Sequence, residues 1–487
     1  MIELPARQAR ALMSEALTGT ADSQQAHLYT AAGFRAALVA ETSVVTGAMG
    51  AGKTFWSTAL ADTASRHLIA RSYRLPRLTR TRVVAGHTAG GERSGIQPAT
   101  VAGLISAGVR PLHLWTAVLL TAVGAPEAAG YPTWAERCNW VAADPGALQR
   151  FATSCAEQDQ GDVLVLFDGL EMLHTDRAAV EGHLRALLEL DGALADAPAG
   201  RQHCSRVRLK VFVQPDVLAG LGTSREPSRR APRTAELSWG RDRYAPDRWV
   251  ALYGLAFELL GNHPGASGSA FRALHPGWEL DQDGKFTAPS ALRSDPGAQR
   301  TLFDQLADPH VDGSPRRGNL YDWLPGRLQD AVGRVSPRSF LAALAAAAEQ
   351  TANTLPGHER AIHHTAGRAA VIAGARVRAD ELARTAPWIH DALAPLEGLQ
   401  VPLVPDAVFD RWRQTTLLGK PSAHGAPVGP RNAGGDALLD ELVAAGAMYR
   451  RANGQIDLPD VLRLFHGLGR RGGVAVRTAV REAAAAH

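Results

Sequence analysis

The apolar positions of this chain change period several times, and those changes mark out its elements. Thr42-Ser-Val-Val-Thr46 is short, β-branched and apolar, as in a strand buried on both faces. The same reading holds for Val163-Leu-Val-Leu-Phe167, an unbroken apolar run that predicts a strand inside a parallel sheet. Val207-Arg-Leu-Lys-Val-Phe-Val213 alternates and predicts another strand. Thr81-Arg-Val-Val-Ala85 and Ala235-Glu-Leu-Ser-Trp239 are shorter strand candidates. Helical spacing governs Tyr29–Val39, Phe55–Asp62, Leu112–Val123 and Arg248–Leu260, and most of 356–397. The tryptophan within Leu112–Val123 is expected in the core. Residues 86–110 and 222–234 read as loops, and 261–318 is rich in Gly and Pro with few structural signals. Near the end, Asp436–Ala445 is an amphipathic helix, Ala452-Asn-Gly454 is a hairpin turn, and Pro459 opens a further helix. These elements predict an α/β protein with a helical lead-in (1–40), a sheet domain (41–245), a helical lid (246–350), a helical region (351–430) and a winged-helix-like module (431–487).

The stretch Gly47-Ala48-Met49-Gly50-Ala51-Gly52-Lys53-Thr54 lies between the first strand and the first long helix of the sheet domain. It fits G-x-x-x-x-G-K-[ST], the phosphate-binding loop. The glycines let successive backbone N–H groups turn inward, the helix adds its positive end, Lys53 reaches the β- and γ-phosphates and the Thr54 hydroxyl ligates Mg²⁺. Composition sharpens this reading, because the chain holds 48 arginines and only 4 lysines. A lysine kept here implies that a compact ammonium is required where a planar guanidinium would not fit. ATP with Mg²⁺ is the expected ligand, since the Asn/Thr-Lys-x-Asp guanine motif is absent.

Three acids and amides follow in the expected places. Asp168 ends the apolar run at the carboxyl end of its strand, where α/β sheets hold ligands, and is the expected second Mg²⁺ residue. Many ATPases place a Glu directly after this Asp; here that residue is Gly169, and Glu171 is the nearest candidate to activate water, with Asp176 as the next acid. Gln214 ends the 207–213 strand. If that strand lies between the other two, Gln214 reaches the γ-phosphate. Ser336-Pro337-Arg338 opens a helix, with Ser336 as N-cap and Pro337 at the first position. A cation in the first turn opposes the helix dipole, which fits an Arg338 that faces phosphate.

Gly47-x4-Gly-Lys-Thr54 with Phe-Asp168-Gly-Leu-Glu171 resembles the STAND and KAP-type P-loop ATPases. Val-Phe-Val-Gln-Pro-Asp216, Glu-Leu-Ser-Trp239, Tyr-Asp-Trp323 and Ser-Pro-Arg338 resemble prokaryotic ATPases related to the origin-recognition type of AAA+ protein. The resemblance implies a P-loop fold of the additional-strand type with a lid and a winged helix, Arg338 as a sensor-2 arginine and Gln214 as a sensor-1 residue. Relatives often have Arg where Gln214 stands, which implies altered sensing or slow hydrolysis. The expected role is a slowly hydrolysing ATP-dependent switch acting on a protein partner encoded separately. Alternatives are a DNA-binding ATPase that uses Arg450, Arg451, Arg470 and Arg471, and a scaffold that binds nucleotide without hydrolysis. A nucleotide-dependent oligomer fits either ATPase reading.

The remaining chemistry narrows the setting. A formal charge of +4 does not argue for nucleic acid. Cys138, Cys155 and Cys204 have no metal spacing and read as reduced thiols. His363-His364 has no partner at ligand spacing and reads as surface or core. No signal-peptide order and no apolar run near membrane length is present, so a cytoplasmic location is expected.

Overall fold

The computed structural model describes residues 4–18, 28–88, 95–157, 161–173, 177–196, 207–221, 233–240, 245, 247–282, 284–415, 417–418 and 434–470. It divides into two units. One comprises residues 33–48 and 52–237; the other comprises 1–32, 49–51 and 238–487.

The first unit is built on five parallel strands: β1 (Val44–Gly47), β2 (Arg82–His87), β3 (Val163–Asp168), β4 (Val207–Val213) and β5 (Thr234–Leu237). Their order across the sheet is β2-β3-β4-β1-β5. The 207–213 strand therefore lies between the P-loop strand and the Asp168 strand, with Val45 opposite Phe212 and Asp168 also opposite Phe212. Every residue of β1 and β3 is buried, which is what their unbroken apolar sequence requires. Helix Pro111–Val123 explains its apolar sequence in the same way. Trp115 is fully buried, and its indole N–H donates to His183 Nδ1 at 2.9 Å. The loop expected over 86–110 carries a helix instead, Pro98–Ser106, with Pro98 at its first position. There the missing N–H of proline costs nothing.

β4 carries a lysine through the core. Lys210 is fully buried, and its ammonium donates to the carbonyls of Ala37 (2.8 Å), Val39 (2.9 Å) and Thr42 (2.8 Å). It thus ties down the turn that leads into β1. Burial lowers its pKa to about 7, against the opposing pull of Glu41 and Asp191.

The second unit is mainly helical. Helix Ala6–Thr18 packs on Pro337–Thr354, which in turn packs along Gly367–Thr385. Gly374 permits that approach, since a Cβ there would stand 2.9 Å from the Ser339 carbonyl. The 261–318 stretch is not the structureless segment its composition predicts. It forms helices Gly265–Ala273, Ser290–Ser294 and Pro296–Leu306 and a small hairpin, with Phe271, Leu292, Leu302 and Phe303 buried. Its glycines and prolines mark the ends of elements: Pro296 starts a helix, while Gly265, Gly277, Gly284, Gly313 and Gly318 take positive φ. At the C-terminal end, helices Pro405–Gln414 and Gly435–Ala444 precede a hairpin, Tyr449–Arg450 with Ile456–Asp457, around a core of Trp412, Leu439, Leu442, Met448 and Ile456. Gly454 supplies the positive φ of the predicted turn. Residues 419–433 and 471–487, including Arg471, lie outside the described residues, as do Asp176, Cys204 and most of the 222–234 loop.

Candidate functional site

β1 delivers the chain into the phosphate-binding loop, and helix Lys53–Ala61 carries it away. Gly50 and Gly52 both adopt the left-handed region (φ 79° and 98°), as a loop that turns its N–H groups inward requires. Lys53 is the first residue of the helix; its Nζ donates to the Gly47 carbonyl at 2.9 Å. The carbonyl of Ala51 accepts from the Trp239 indole at 2.9 Å.

Asp168 lies at the carboxyl end of β3 and is 1 % exposed. Burial pushes its pKa up to about 6; Glu171 adds to the rise, while a hydrogen bond from the Thr54 hydroxyl, the charge of Lys53 and the Gly169 N–H oppose it. One carboxylate oxygen, Oδ2, is buried without a hydrogen-bond partner. A buried, unpartnered carboxylate oxygen next to a threonine hydroxyl is a donor pair that a hard divalent cation fits.

The residue after Asp168 explains the spacing of the acids. Gly169 takes φ 81°, a conformation costly for a glutamate. The chain then makes one turn of 3₁₀ helix, Leu170–Met172, and this turn brings Glu171 back to the strand ends. Glu171 Oε1 accepts the Gln214 backbone N–H at 2.7 Å and stands 4.0 Å from Lys53 Nζ. Lys53, Thr54, Asp168, Glu171 and the Gln214 backbone are therefore gathered in one place. The link from Gln214 to this group runs through its backbone N–H; its side chain makes no cap at the helix that follows.

Arg338 is solvent-exposed in the first turn of Pro337–Thr354. Ser336 is the N-cap residue, yet its hydroxyl donates to Glu381 Oε1 (2.9 Å) rather than to its own helix. Glu381 pairs with Arg378 at 3.2 Å, and Arg378 Nη1 donates to the carbonyl of Met49 at 2.8 Å. Both side chains are buried. Gly50 lies against the same pair, since a Cβ there would be 2.7 Å from Glu381 Oε2. Arg378 and Glu381 escaped the sequence reading. The available signal was weak: an Arg and a Glu three apart on one helix face.

The sheet order, the loop and the placement of Asp168 and Glu171 decide the fold. It is a P-loop nucleoside-triphosphatase fold with an additional strand. No protein-family model matches the chain, and no curated protein matches it. Among solved structures, it is similar to the Aeropyrum pernix ORC2 protein in ADPNP–ADP complexes (13% identity, 93% of this chain and 88% of that one, TM-score 0.37). It is also similar to the Aeropyrum pernix ORC1 protein in complex with DNA (14% identity, 98% of this chain and 93% of that one, TM-score 0.35). Among the described residues no helix is long and apolar enough to cross a membrane.

Proposed function

We propose that the chain binds ATP with Mg²⁺ at residues 47–54 and hydrolyses it slowly, as a switch of the AAA+ type acting on a separate protein. The observation that carries this reading is Asp168 and Glu171 beside Lys53 and Thr54, one carboxylate with a bare buried oxygen and the other held by a backbone N–H. Thr54 and Asp168 would hold the cation, which supplies charge neutralisation of the β- and γ-phosphate oxygens. Lys53 would move its ammonium from the Gly47 carbonyl to phosphate. Glu171, with Oε1 fixed by the Gln214 N–H, would present Oε2 to a water. That water's oxygen would bond to the γ-phosphorus as the bond from phosphorus to the bridging oxygen breaks. Glu171 would take the water's proton, and ADP would leave with the bonding electron pair. In this account Gln214 is a positioning residue.

The burial of Arg378 and its bond to the Met49 carbonyl support it as the lid arginine that reads the loop more than they support the exposed Arg338. An arginine bonded to the loop backbone is biased by whatever occupies the loop, which is what a switch requires.

The second reading, a DNA-binding ATPase, draws on the helix-then-hairpin order of residues 405–457. Among the described residues, three of its arginines are already engaged with acids. Arg450 pairs with Asp440 (2.8 Å), Arg451 with Asp457 (2.9 Å), and Arg470 with Asp457 (2.6 Å) and Asp460 (3.2 Å). Phosphate contacts would have to displace those carboxylates, so the switch reading stands first. Phosphate release, followed with and without duplex DNA at two salt concentrations, tests both. The switch reading expects Mg²⁺-dependent release that DNA leaves unchanged. Steeply salt-dependent DNA binding with altered release would favour the second reading.

A further inference from the structure

Two segments far apart in sequence are zipped together in the helical unit. Ile362 N–H donates to the Leu306 carbonyl (3.0 Å), and Asp308 N–H donates to the Ile362 carbonyl (2.9 Å). The pairing brings Asp308 against a run of histidines 50 to 56 positions later. His364 Nδ1 lies 3.0 Å from Asp308 Oδ2, and His363 Nε2 lies 3.7 Å from the same oxygen. His358 Nε2 lies 2.9 Å from the other oxygen, Oδ1, and Arg360 Nη1 lies 3.4 Å from it. His363-His364, read from sequence as lacking a partner, thus has one in Asp308.

We propose that Asp308, His363 and His364 form a binding site for a borderline divalent transition-metal ion, with Zn²⁺ the best-matched. Each residue offers one ligand atom, and the three atoms lie within 4.8 Å of one another. Neighbouring ligand atoms on a tetrahedral Zn²⁺ stand about 3.3 Å apart, given bonds of about 2.0–2.1 Å. The 3.0 and 3.7 Å separations of the two imidazole nitrogens from Asp308 Oδ2 bracket that value. Two imidazoles and a carboxylate suit Zn²⁺ better than Mg²⁺ or Ca²⁺, which prefer oxygen.

The surroundings hold the three residues in place. His358 and Arg360 occupy Oδ1, and the His364 backbone N–H donates to Oδ2 at 3.0 Å; together they fix the carboxylate with Oδ2 facing the His363 and His364 rings. His363 Nδ1 lies 2.7 Å from the Thr365 hydroxyl and accepts the Thr365 backbone N–H at 3.3 Å, contacts that fix the ring with Nε2 toward Asp308. The backbone around the site is fixed as well. His363 N–H donates to the buried Thr351 hydroxyl (3.0 Å), and the buried Arg10 donates to the carbonyls of Pro356 (2.8 Å), His358 and Arg360 (3.0 Å). Gly313 packs on the edge of His364, where a Cβ would stand 3.4 Å from Cε1. Both ligand imidazoles are partly exposed (18 % and 24 %), which gives an ion a path in and leaves a fourth position for water.

The opposing reading is a set of histidines hydrogen-bonded to one carboxylate with no ion. It leaves three imidazoles and a guanidinium around a single negative charge, with ring centroids 4.7 Å apart for His358 and His363 and 3.9 Å apart for His363 and His364.

The test uses the full chain, stripped with a chelator and titrated with Zn²⁺ against a chromophoric competitor. Co²⁺ serves as the spectroscopic probe. The proposal expects one ion per chain and visible ligand-field bands from Co²⁺. His363→Gln and His364→Gln should each weaken binding by about 100-fold or more. His358→Gln, which alters only the support of Asp308, should weaken it by about 10-fold. Circular dichroism melting of each variant separates lost ligands from lost fold. If a variant does not fold, the parent's Co²⁺ spectrum decides, and absence of ligand-field bands overturns the site. Retention of the ion by a folded H363Q/H364Q double variant overturns it equally.

Discussion

At Gly169 one residue's backbone decides where the chemistry goes. Its positive φ disfavours a side chain, so the acid proposed to activate water is Glu171 and not the residue directly after Asp168. The roles of Lys53 and Glu171 then separate in mutants. Lys53→Ala should weaken ATP binding by roughly 10- to 150-fold, the value of a charge-assisted contact of about 1.5–3 kcal/mol. Glu171→Gln should leave ATP affinity close to that of the parent, because the Gln amide still accepts the Gln214 N–H. Equilibrium titration with a fluorescent ATP analogue checks both. Asp168 carries a pH signature. Its folded pKa, about 6, lies above the ordinary 3.8, so the folded state binds more protons between those values. Its contribution to stability is therefore fully present below pH 3.8 and lost as pH rises through about 6. Asp168→Asn should raise the melting temperature in Mg²⁺-free buffer at pH 8, gain nothing at pH 4, and lose the stabilisation that Mg²⁺–ATP gives the parent. Equal melting of the two proteins at pH 8 would count against a strained, ion-seeking carboxylate.

Among the elements, β1 and β3 were legible because a strand buried on both faces is built from apolar residues, and β4 because its apolar residues alternate. The position of β4 between the other two followed from the need to bring Gln214 to the site, and the sheet order bears that placement out. What sequence missed has one physical cause. In 86–110 and 261–318, Pro and Gly stand at helix starts and positive-φ ends, where they delimit structure, yet in composition they look the same as they do in loops. Lys210 was hidden for a different reason. Its alternation reads as an outward polar residue, but three carbonyls at the turn into β1 turn it inward. Lys210→Met should cost about 2–4 kcal/mol in urea unfolding, since it orphans those carbonyls. A loss well under 1 kcal/mol would mean that water satisfies them. The Ser336–Glu381–Arg378–Met49 chain was illegible because it joins residues hundreds of positions apart. Arg378→Ala should reduce the preference for ATP over ADP by about 10-fold or more, and Arg338→Ala should leave it within about twofold. Titrations with both nucleotides distinguish them.

For the whole molecule, a switch needs the two nucleotides to favour different states, and a ligand moves such an equilibrium only by its difference in affinity for them. Hydrogen exchange across Gly367–Thr385 should therefore be slower with ATP than with ADP, with the difference abolished in Arg378→Ala. Identical exchange in the parent would leave a nucleotide-binding scaffold as the better account. All of this rests on hydrolysis at the site formed by Lys53, Thr54, Asp168 and Glu171. Single-turnover phosphate release from Mg²⁺–ATP, parent against Glu171→Gln, tests it most directly. The account predicts slow but measurable release by the parent and a drop of about 100-fold or more in the variant at saturating ATP. No release by the parent, or equal release by the two proteins, would contradict it.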